Sequence, residues 1–375
     1  MLCKPLSTFL LVQEMFRQQG NQIAMTVGKL IPYESYGRLP ISRGETATLI
    51  KKHVYCLDKR KTPILRTVSG IARPEHRSDL KKELKGAALL GRTPDNKKIF
   101  LHTSTKPSPV IREIGRLREI TFRTVGEGTG HRRDMDHFDR YYSHLVLWDE
   151  DDLEIVGAYR FVDAQATLEK KGPEGLYTNT LFTLDPSTHY FLNPGLELGR
   201  SFVQKQYWGK RSLDYLWYGI GAYLAENPHY RYLYGPVSLS GNLPETAKEL
   251  LIYFYRLYFS PDDAASCSKK PYRFSSPVQD LAREFSGDNY KKDFKRLKFL
   301  LANLGTAVPT LYKQYSQLCR PGGVQFIDFN VDPDFNNCVD GLVVVDLHRL
   351  KKKKRLRYIG AACAAESLNS GNSPA

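Results

Sequence analysis

The 375-residue chain is 41% hydrophobic and 25% charged, an ordinary globular composition with room for two or three domains. No apolar run approaches the roughly 18 residues of a spanning helix, and six scattered cysteines (Cys3, Cys56, Cys267, Cys319, Cys338, Cys363) without a C-x-x-C pair argue against a zinc ribbon or a disulfide framework. The net charge of +15 favours an acidic partner such as nucleic acid, anionic lipid or an acidic carrier protein, but no helix-turn-helix, zinc-finger or RNP-type pattern accompanies it, so nucleic acid is not the expected one.

Residues 1–66 open with a short amphipathic helix through "STFLLVQEMF" (Ser7–Phe16), without the long apolar core and cleavage site of a signal peptide. "NQIAMTVGKLIPYESY" (Asn21–Tyr36) reads as a buried strand followed by a Gly and Pro turn, and "SRGETATLIKKHVYCLDKR" (Ser42–Arg60) as an N-capped helix. Residues 67–108 are polar and basic, end in "TSTKPSPV", and read as a linker. From there the pattern becomes regular. Ile111, Ile114, Leu117, Ile120 and Phe122 recur at helical spacing. "HLVLWDEDDLEIVGAYRFVDA" (His144–Ala164) is a hairpin with an acidic turn, and "LYTNTLFTL" (Leu176–Leu184) and "GLELGRSFVQ" (Gly195–Gln204) read as strands. A helix over Ser212–Asn227, a strand over Tyr230–Ser240 and a helix over Pro244–Phe259 follow. After a helical region, Gly322–Leu350 is strand-rich, and residues 351–375 form a basic run and a disordered tail. This order predicts an α/β fold, a layered mixed sheet with flanking helices over 109–350, plus a partial N-terminal α/β segment.

"HRRDMDHFDRYYSH" (His131–His144) poses the functional question. Asp134, Asp136, Asp139, His137 and His144 are possible metal ligands, but neither a D-x-D-x-D-G loop with a closing Glu nor an H-E-x-x-H helix is present, so no metal is expected. The stretch has companions in order: "LREITF" (Leu117–Phe122) before it, "SHLVL" (Ser143–Leu147), "GAYR" (Gly157–Arg160) and "ELGR" (Glu197–Arg200) after it. Over Val110–Phe259 this combination resembles the GNAT-like N-acyltransferases: the homoserine-lactone autoinducer synthases and, more closely, the hemolysin-like ornithine and N-acyl amino acid synthases. The matching positions are Arg118 and Phe122, Asp136 and Asp139, Arg160, and Glu197 with Arg200. "DFNVDPDFNNCVDGLVVVDL" (Asp328–Leu347) resembles the C-terminal segment of the longer hemolysin-like members.

The resemblance implies a GNAT-like fold and acyl transfer from a thioester to an amine, which must lose a proton. It implies Glu197 as base, directly or through water, within a catalytic network of Asp136, Asp139 and Arg200. It further implies a substrate site of Arg118, Phe122, Arg160 and His144, with Ser238 at the strand edge that takes a pantetheine arm. Acidic groups suit the amino acid's ammonium and arginines its carboxylate; the same Asp–Arg and Glu–Arg pairs also fit structural salt bridges. No bound cofactor is expected. Gln206 and Gly209 fit the family's pyrophosphate loop, but Arg211 stands where a small residue belongs. There it would either crowd a bound pyrophosphate or bind it as a cation; the departure favours acyl carrier protein over coenzyme A as donor, as does steering of an acidic carrier by the positive charge.

"VGKLIPYESY" (Val27–Tyr36) resembles a strand and turn of glycerophospholipid acyltransferase domains. Their His and Asp, four residues between them, find matches in His53–Asp58 and His131–Asp136, both out of place. Residues 1–66 are therefore expected to be the C-terminal remnant of such a domain, without catalysis of its own. The expected product is an N-acyl amino acid or lyso-aminolipid, made in the cytoplasm or peripherally on the inner face of the cell membrane, where basic patches meet anionic lipid. A lysophospholipid O-acyltransferase is the alternative enzyme, and a basic membrane- or nucleic-acid-binding module the alternative outside enzymes.

Overall fold

The computed structural model describes residues 4–22, 24–37, 39–57, 62–261 and 267–360, with side chains described for all of these except 4–10 and 187. The chain divides into two units, Met1–Gly70 and Ile71–Ala375. Asp58 and the tail from residue 361 lie outside the described residues.

The first unit contains helices α1 (Lys4–Arg17) and α2 (Arg43–Tyr55). Ser42 caps α2 as expected: its Oγ accepts the Glu45 N–H at 3.3 Å, and the Glu45 carboxylate accepts the Ser42 N–H at 2.8 Å. His53 is buried, with Nδ1 accepting the Leu65 N–H at 3.0 Å. The strand expected over Asn21–Tyr36 does not form among the described residues; Leu30 makes a single bridge to Val68, and Met25 and Val27 are exposed. An apolar run becomes a strand only where a partner strand takes its backbone groups.

The second unit is built on an eight-stranded sheet: β1 (Ala88–Arg92), β2 (Lys98–His102), β3 (Ser143–Asp149), β4 (Glu154–Asp163), β5 (Gly195–Val203), β6 (Tyr232–Leu239), β7 (Val324–Asp332) and β8 (Cys338–Asp346), in the order β1-β2-β3-β4-β5-β6-β8-β7. Its first helices are α3 (Arg77–Leu84), α4 (Pro109–Thr124), α5 (Ala164–Lys171), α6 (Thr178–Leu181) and α7 (His189–Leu192). Then come α8 (Ser212–Glu226), α9 (Glu245–Phe259), α10 (Val278–Ala282), α11 (Tyr290–Asn303), α12 (Thr310–Ser316) and α13 (Lys352–Arg355).

Alternation along β3 sets the layers. Val146 and Trp148 join α3 and α4 in one core, while Leu145 and Leu147 join α8 and α9 in the other. Three expectations are corrected in this unit. The basic linker supplies α3, β1 and β2, because its lysines are neutralised by the acidic β3–β4 turn: Lys81 and Lys98 reach Glu150 at 2.8 and 2.9 Å. The strand expected within "LYTNTLFTL" is instead the short helix α6, whose first N–H, from Thr178, is taken by the Glu197 carboxylate at 2.8 Å. The basic run is also not merely a tail: residues 352–360 are helical, Tyr358 is buried, and its carbonyl oxygen lies 2.0 Å from where a Cβ on Gly221 of α8 would stand.

All neighbouring strands are antiparallel except β5 and β6, which are parallel and pair only at Gly195–Tyr232, Leu196–Leu233 and Glu197–Tyr234. Beyond these pairs β5 follows β4 and β6 follows β8, so the sheet splits. Gly235 marks the fork, at φ 155° with the Leu198 carbonyl oxygen 2.0 Å from the position of a Cβ.

Candidate active site

Three arginines from three elements meet three aspartates from one loop beside this fork. Arg118 stands on the inner face of α4 next to Leu117 and is fully buried. Its guanidinium donates to both Asp139 carboxylate oxygens, at 2.9 and 2.8 Å. Arg160 of β4 donates to Asp136 at 2.6 Å and to Asp139 at 3.0 Å. Arg200 of β5 pairs with Asp134 at 3.2 Å and donates to the Tyr177 hydroxyl at 2.9 Å.

The D-x-x-D spacing is a capping box for a short 3-10 turn, His137–Arg140. Asp136 accepts the Phe138 and Asp139 N–H groups, and Asp139 accepts the Asp136 N–H at 3.0 Å. Asp139 is committed to arginines and backbone through both oxygens, whereas Asp136 engages them through Oδ1 and its Oδ2 accepts no hydrogen bond among the described residues. Among the described residues no group of three or more His, Cys, Asp or Glu could hold a metal ion.

Burial raises the Asp139 carboxyl, but Arg118 and Arg160 outweigh it and hold it well below the usual carboxylate range. Asp136 is likewise held low against burial, chiefly by Arg160. His144 is fully buried, 3.7 Å from Asp139, and burial pushes it down to about 3, so it is neutral. Arg160 completes its surroundings with aromatic faces, 5.1 Å from the Tyr142 ring centroid and 5.4 Å from that of Tyr177.

Glu197 sits just before the fork and is 1% exposed. It accepts from the Thr178 N–H at 2.8 Å, the Thr178 hydroxyl at 3.1 Å and the Tyr142 hydroxyl at 3.1 Å. Burial raises it to about 7 despite these donors and Arg160.

Two cavities meet at Arg200, Tyr177 and Phe335, which line both. One, of about 450 Å³, occupies the strand fork between Ser201 of β5 and Pro236–Ser238 of β6, with Phe122, Leu243 and Leu311 among its apolar walls. The other, of about 350 Å³, is lined by Asp136, Lys269, Lys270, Asp332 and Asp334.

Of the residues singled out from the sequence, Asp136, Arg200, Phe122 and Ser238 therefore face a cavity. Arg118, Arg160, Asp139, His144 and Glu197 belong to the buried support and are in neither lining. The donor loop lies further along, at the start of α8. The Gln206 amide bonds Glu154, and Gly209 has φ 75°. Arg211 runs along α8, 3.7 Å from Asp214 and 3.3 Å from the Tyr218 hydroxyl.

Residues 117–218 match the family described as acetyltransferase (GNAT) domain. The chain is an acyltransferase that carries a GNAT-type domain over those residues. This acyltransferase is 28% identical over 302 residues to a glycine N(alpha)-acyltransferase of Bacteroides thetaiotaomicron, covering 77% of this chain and 89% of that protein. It is 33% identical over 139 residues to an L-ornithine N(alpha)-acyltransferase of Rhizobium meliloti, covering 34% of this chain and 44% of that protein. Among solved structures it has a likeness to a CoA-dependent acyl-homoserine lactone synthase, with a TM-score of 0.30 and 10% identity over 68% of this chain and 82% of that one.

Sequence reasoning missed Tyr142, Tyr177 and Thr178, which hold Glu197 or Arg200, and Glu127, Phe335 and Asp340 in the fork cavity. Asp340 did leave a signal, an isolated acid inside the apolar strand "CVDGLVVVD".

Proposed function

We propose that this acyltransferase moves a fatty acyl group from a thioester carrier to the amine of an amino acid, giving an N-acyl amino acid or lyso-aminolipid. The carrying observation is the junction of the two cavities at Arg200, Tyr177 and Phe335. A thioester arm in the strand fork and an amino acid in the neighbouring cavity would meet there. Asp136 offers an anion to the ammonium, and Lys269, Lys270 and Arg200 offer cations to the carboxylate, which suits a zwitterion better than a neutral glycerol hydroxyl. The curated relatives named for glycine and L-ornithine support an amino-acid acceptor.

The amine nitrogen attacks the thioester carbonyl, the carbon–nitrogen bond forms, and the carbon–sulfur bond breaks to release the carrier thiol. The carrier in this reading is an acyl carrier protein, with coenzyme A the second choice. Arg357 of the basic run and Arg211 of the donor loop both pair with Asp214 of α8, which sets the basic run beside the loop for an acidic partner. The setting is the inner face of the cell membrane, where the amphiphilic product would partition; no helix among the described residues is long and apolar enough to cross a membrane.

Mass spectrometry of lipid extracts from cells with and without the expressed chain tests this. A new N-acyl amino acid is the expected result. New phosphatidic acid would turn the reading to O-acylation of glycerolipids, and no new lipid would remove it.

A further inference from the structure

Any amine that arrives as an ammonium must lose a proton before it can attack. Glu197 is poorly placed to take it, being enclosed by Tyr142 and Thr178 and absent from both cavity linings. The fork cavity has other carboxyls. Asp340 lies mid-strand in β8, in register with Ser238 of β6 and Asn330 of β7, and lines the cavity while 3% exposed. The Ser238 hydroxyl donates to it at 2.7 Å.

Glu127 faces the same cavity from the loop after α4. Among the described residues its carboxyl has neither a hydrogen bond nor a salt bridge. The loop is nevertheless pinned on both sides. The Ser240 hydroxyl donates to the Val125 carbonyl at 2.7 Å, the Asn336 amide donates to the Gly126 carbonyl at 2.6 Å, and the Glu127 N–H donates to the Phe122 carbonyl at 2.8 Å. Gly126 takes φ 80°, where a Cβ would stand 2.0 Å from the Asn242 amide nitrogen. This architecture holds an unpartnered carboxyl against a cavity wall, at a backbone turn that only glycine takes easily.

We propose that Glu127 and Asp340 are the proton-accepting pair of the transfer reaction, with Glu197 a positioning residue that holds Tyr142 and Thr178. The inference rests on the N-acyl transfer reading. The ammonium gives one proton to the ionised member of the pair, which passes it to water. The neutral nitrogen then attacks the thioester carbonyl, the carbon–nitrogen bond forms as the carbon–sulfur bond breaks, and the leaving sulfur takes the proton now in excess on nitrogen. The net change is ammonium plus thioester to amide, thiol and one proton.

The electrostatics agree with the geometry. Burial and then Asp340 push Glu127 up to about 8, against Arg200, and burial with Asp332 pushes Asp340 up to about 7, against the Ser238 hydrogen bond and Arg200. The other titratable groups around the pair are Tyr177, Tyr312 and Cys338, which burial holds in their protonated forms. The pair therefore gains and loses its proton near neutral pH, which suits a base that must reload each turnover.

The test is the pH profile of kcat and kcat/KM for the purified full-length protein with an acyl thioester and glycine, comparing wild type with Glu127→Gln, Asp340→Asn, Ser238→Ala and Glu197→Gln. Wild type should gain activity through pH 7–8. Glu127→Gln and Asp340→Asn should each lower kcat by about 100-fold or more and abolish that limb. Ser238→Ala, which removes the bond that lowers Asp340, should shift the limb to higher pH while circular dichroism stays native. Glu197→Gln should keep the limb at a reduced plateau. A limb set by the amine itself would persist in every variant. Glu127→Gln and Asp340→Asn enzymes that stay within threefold of wild type with the limb intact, or a Ser238→Ala limb that does not move, would overturn the proposal. Loss of the limb in Glu197→Gln alone would return the role to Glu197. Absence of any amide product from wild type would instead refute the N-acyl transfer reading.

Discussion

Asp139→Asn is the sharpest probe of the buried charge network. The Asp139 side chain is 2% exposed and binds Arg118 through two hydrogen bonds and Arg160 through a third. Neither guanidinium can shed its proton at any ordinary pH. A neutral amide at this position leaves positive charge uncompensated where water does not reach, and its NH₂ group faces donors instead of accepting from them. Removing one partner of a buried pair costs about 3–5 kcal/mol, against a total of about 5–15 kcal/mol for a typical domain. Urea unfolding at pH 7, followed by tryptophan fluorescence, should show that loss as a lower midpoint at an unchanged slope. Asp95→Asn is the control. Asp95 pairs with Lys97 at 3.1 Å with its side chain half exposed, and its loss should cost no more than about 1 kcal/mol. Combining Asp139→Asn with Arg118→Met should cost less than the sum of the two, because the second change removes the charge that the first strands. If Asp139→Asn cost no more than the Asp95 control, the network would not be held by charge balance.

Glu127, Glu197 and Asp340 all have folded-state affinities for protons above their unfolded values, so the stability they contribute is present at low pH and is lost as pH rises through about 7–8, at up to about 1.4 kcal/mol per pH unit for each group. Asp340→Asn should therefore gain on wild type in melting temperature between pH 5 and pH 8; a constant difference would contradict the assignment. Asp136 and Asp139, whose affinities are lowered, contribute in the opposite sense, with stability present above about pH 4 and lost on further acidification. Gly235→Ala should lose at least about 1–3 kcal/mol to backbone strain alone and most of its activity, since the added methyl meets the Leu198 carbonyl oxygen at the fork; wild-type melting would show that the fork does not depend on glycine. Lys352→Glu with Lys353→Glu, both exposed, should raise KM for acyl carrier protein roughly tenfold, about 1.4 kcal/mol, and weaken its salt dependence with kcat unchanged; an unaltered KM would place carrier docking elsewhere.

The fold was most legible where periodicity and local chemistry agreed. The apolar spacing of Ile111, Ile114 and Leu117 located α4, and alternation with an acidic turn located the β3–β4 hairpin. The Arg and Asp positions that build the network were readable from their order along the chain. What escaped depended on partners distant in sequence. The lysines of 81–98 read as linker because the carboxylate that neutralises Lys81 and Lys98, Glu150, lies 69 and 52 residues on. Asp340 gains its meaning from Ser238, 102 residues earlier, and Glu127 from a cavity that exists only once β5 and β6 part. Glu197 illustrates the converse. Its acidity in a family-like motif was readable, but its enclosure by Tyr142 and Thr178 was not.

Amino-acid N-acylation is tested by reacting the purified protein with a defined acyl thioester and a panel of amino acids, following thiol release and product mass together. One thiol should be released per amide formed, with glycine or ornithine among the acceptors. Thiol release that yields only free fatty acid, or acylation of a glycerolipid hydroxyl in place of an amine, would contradict it.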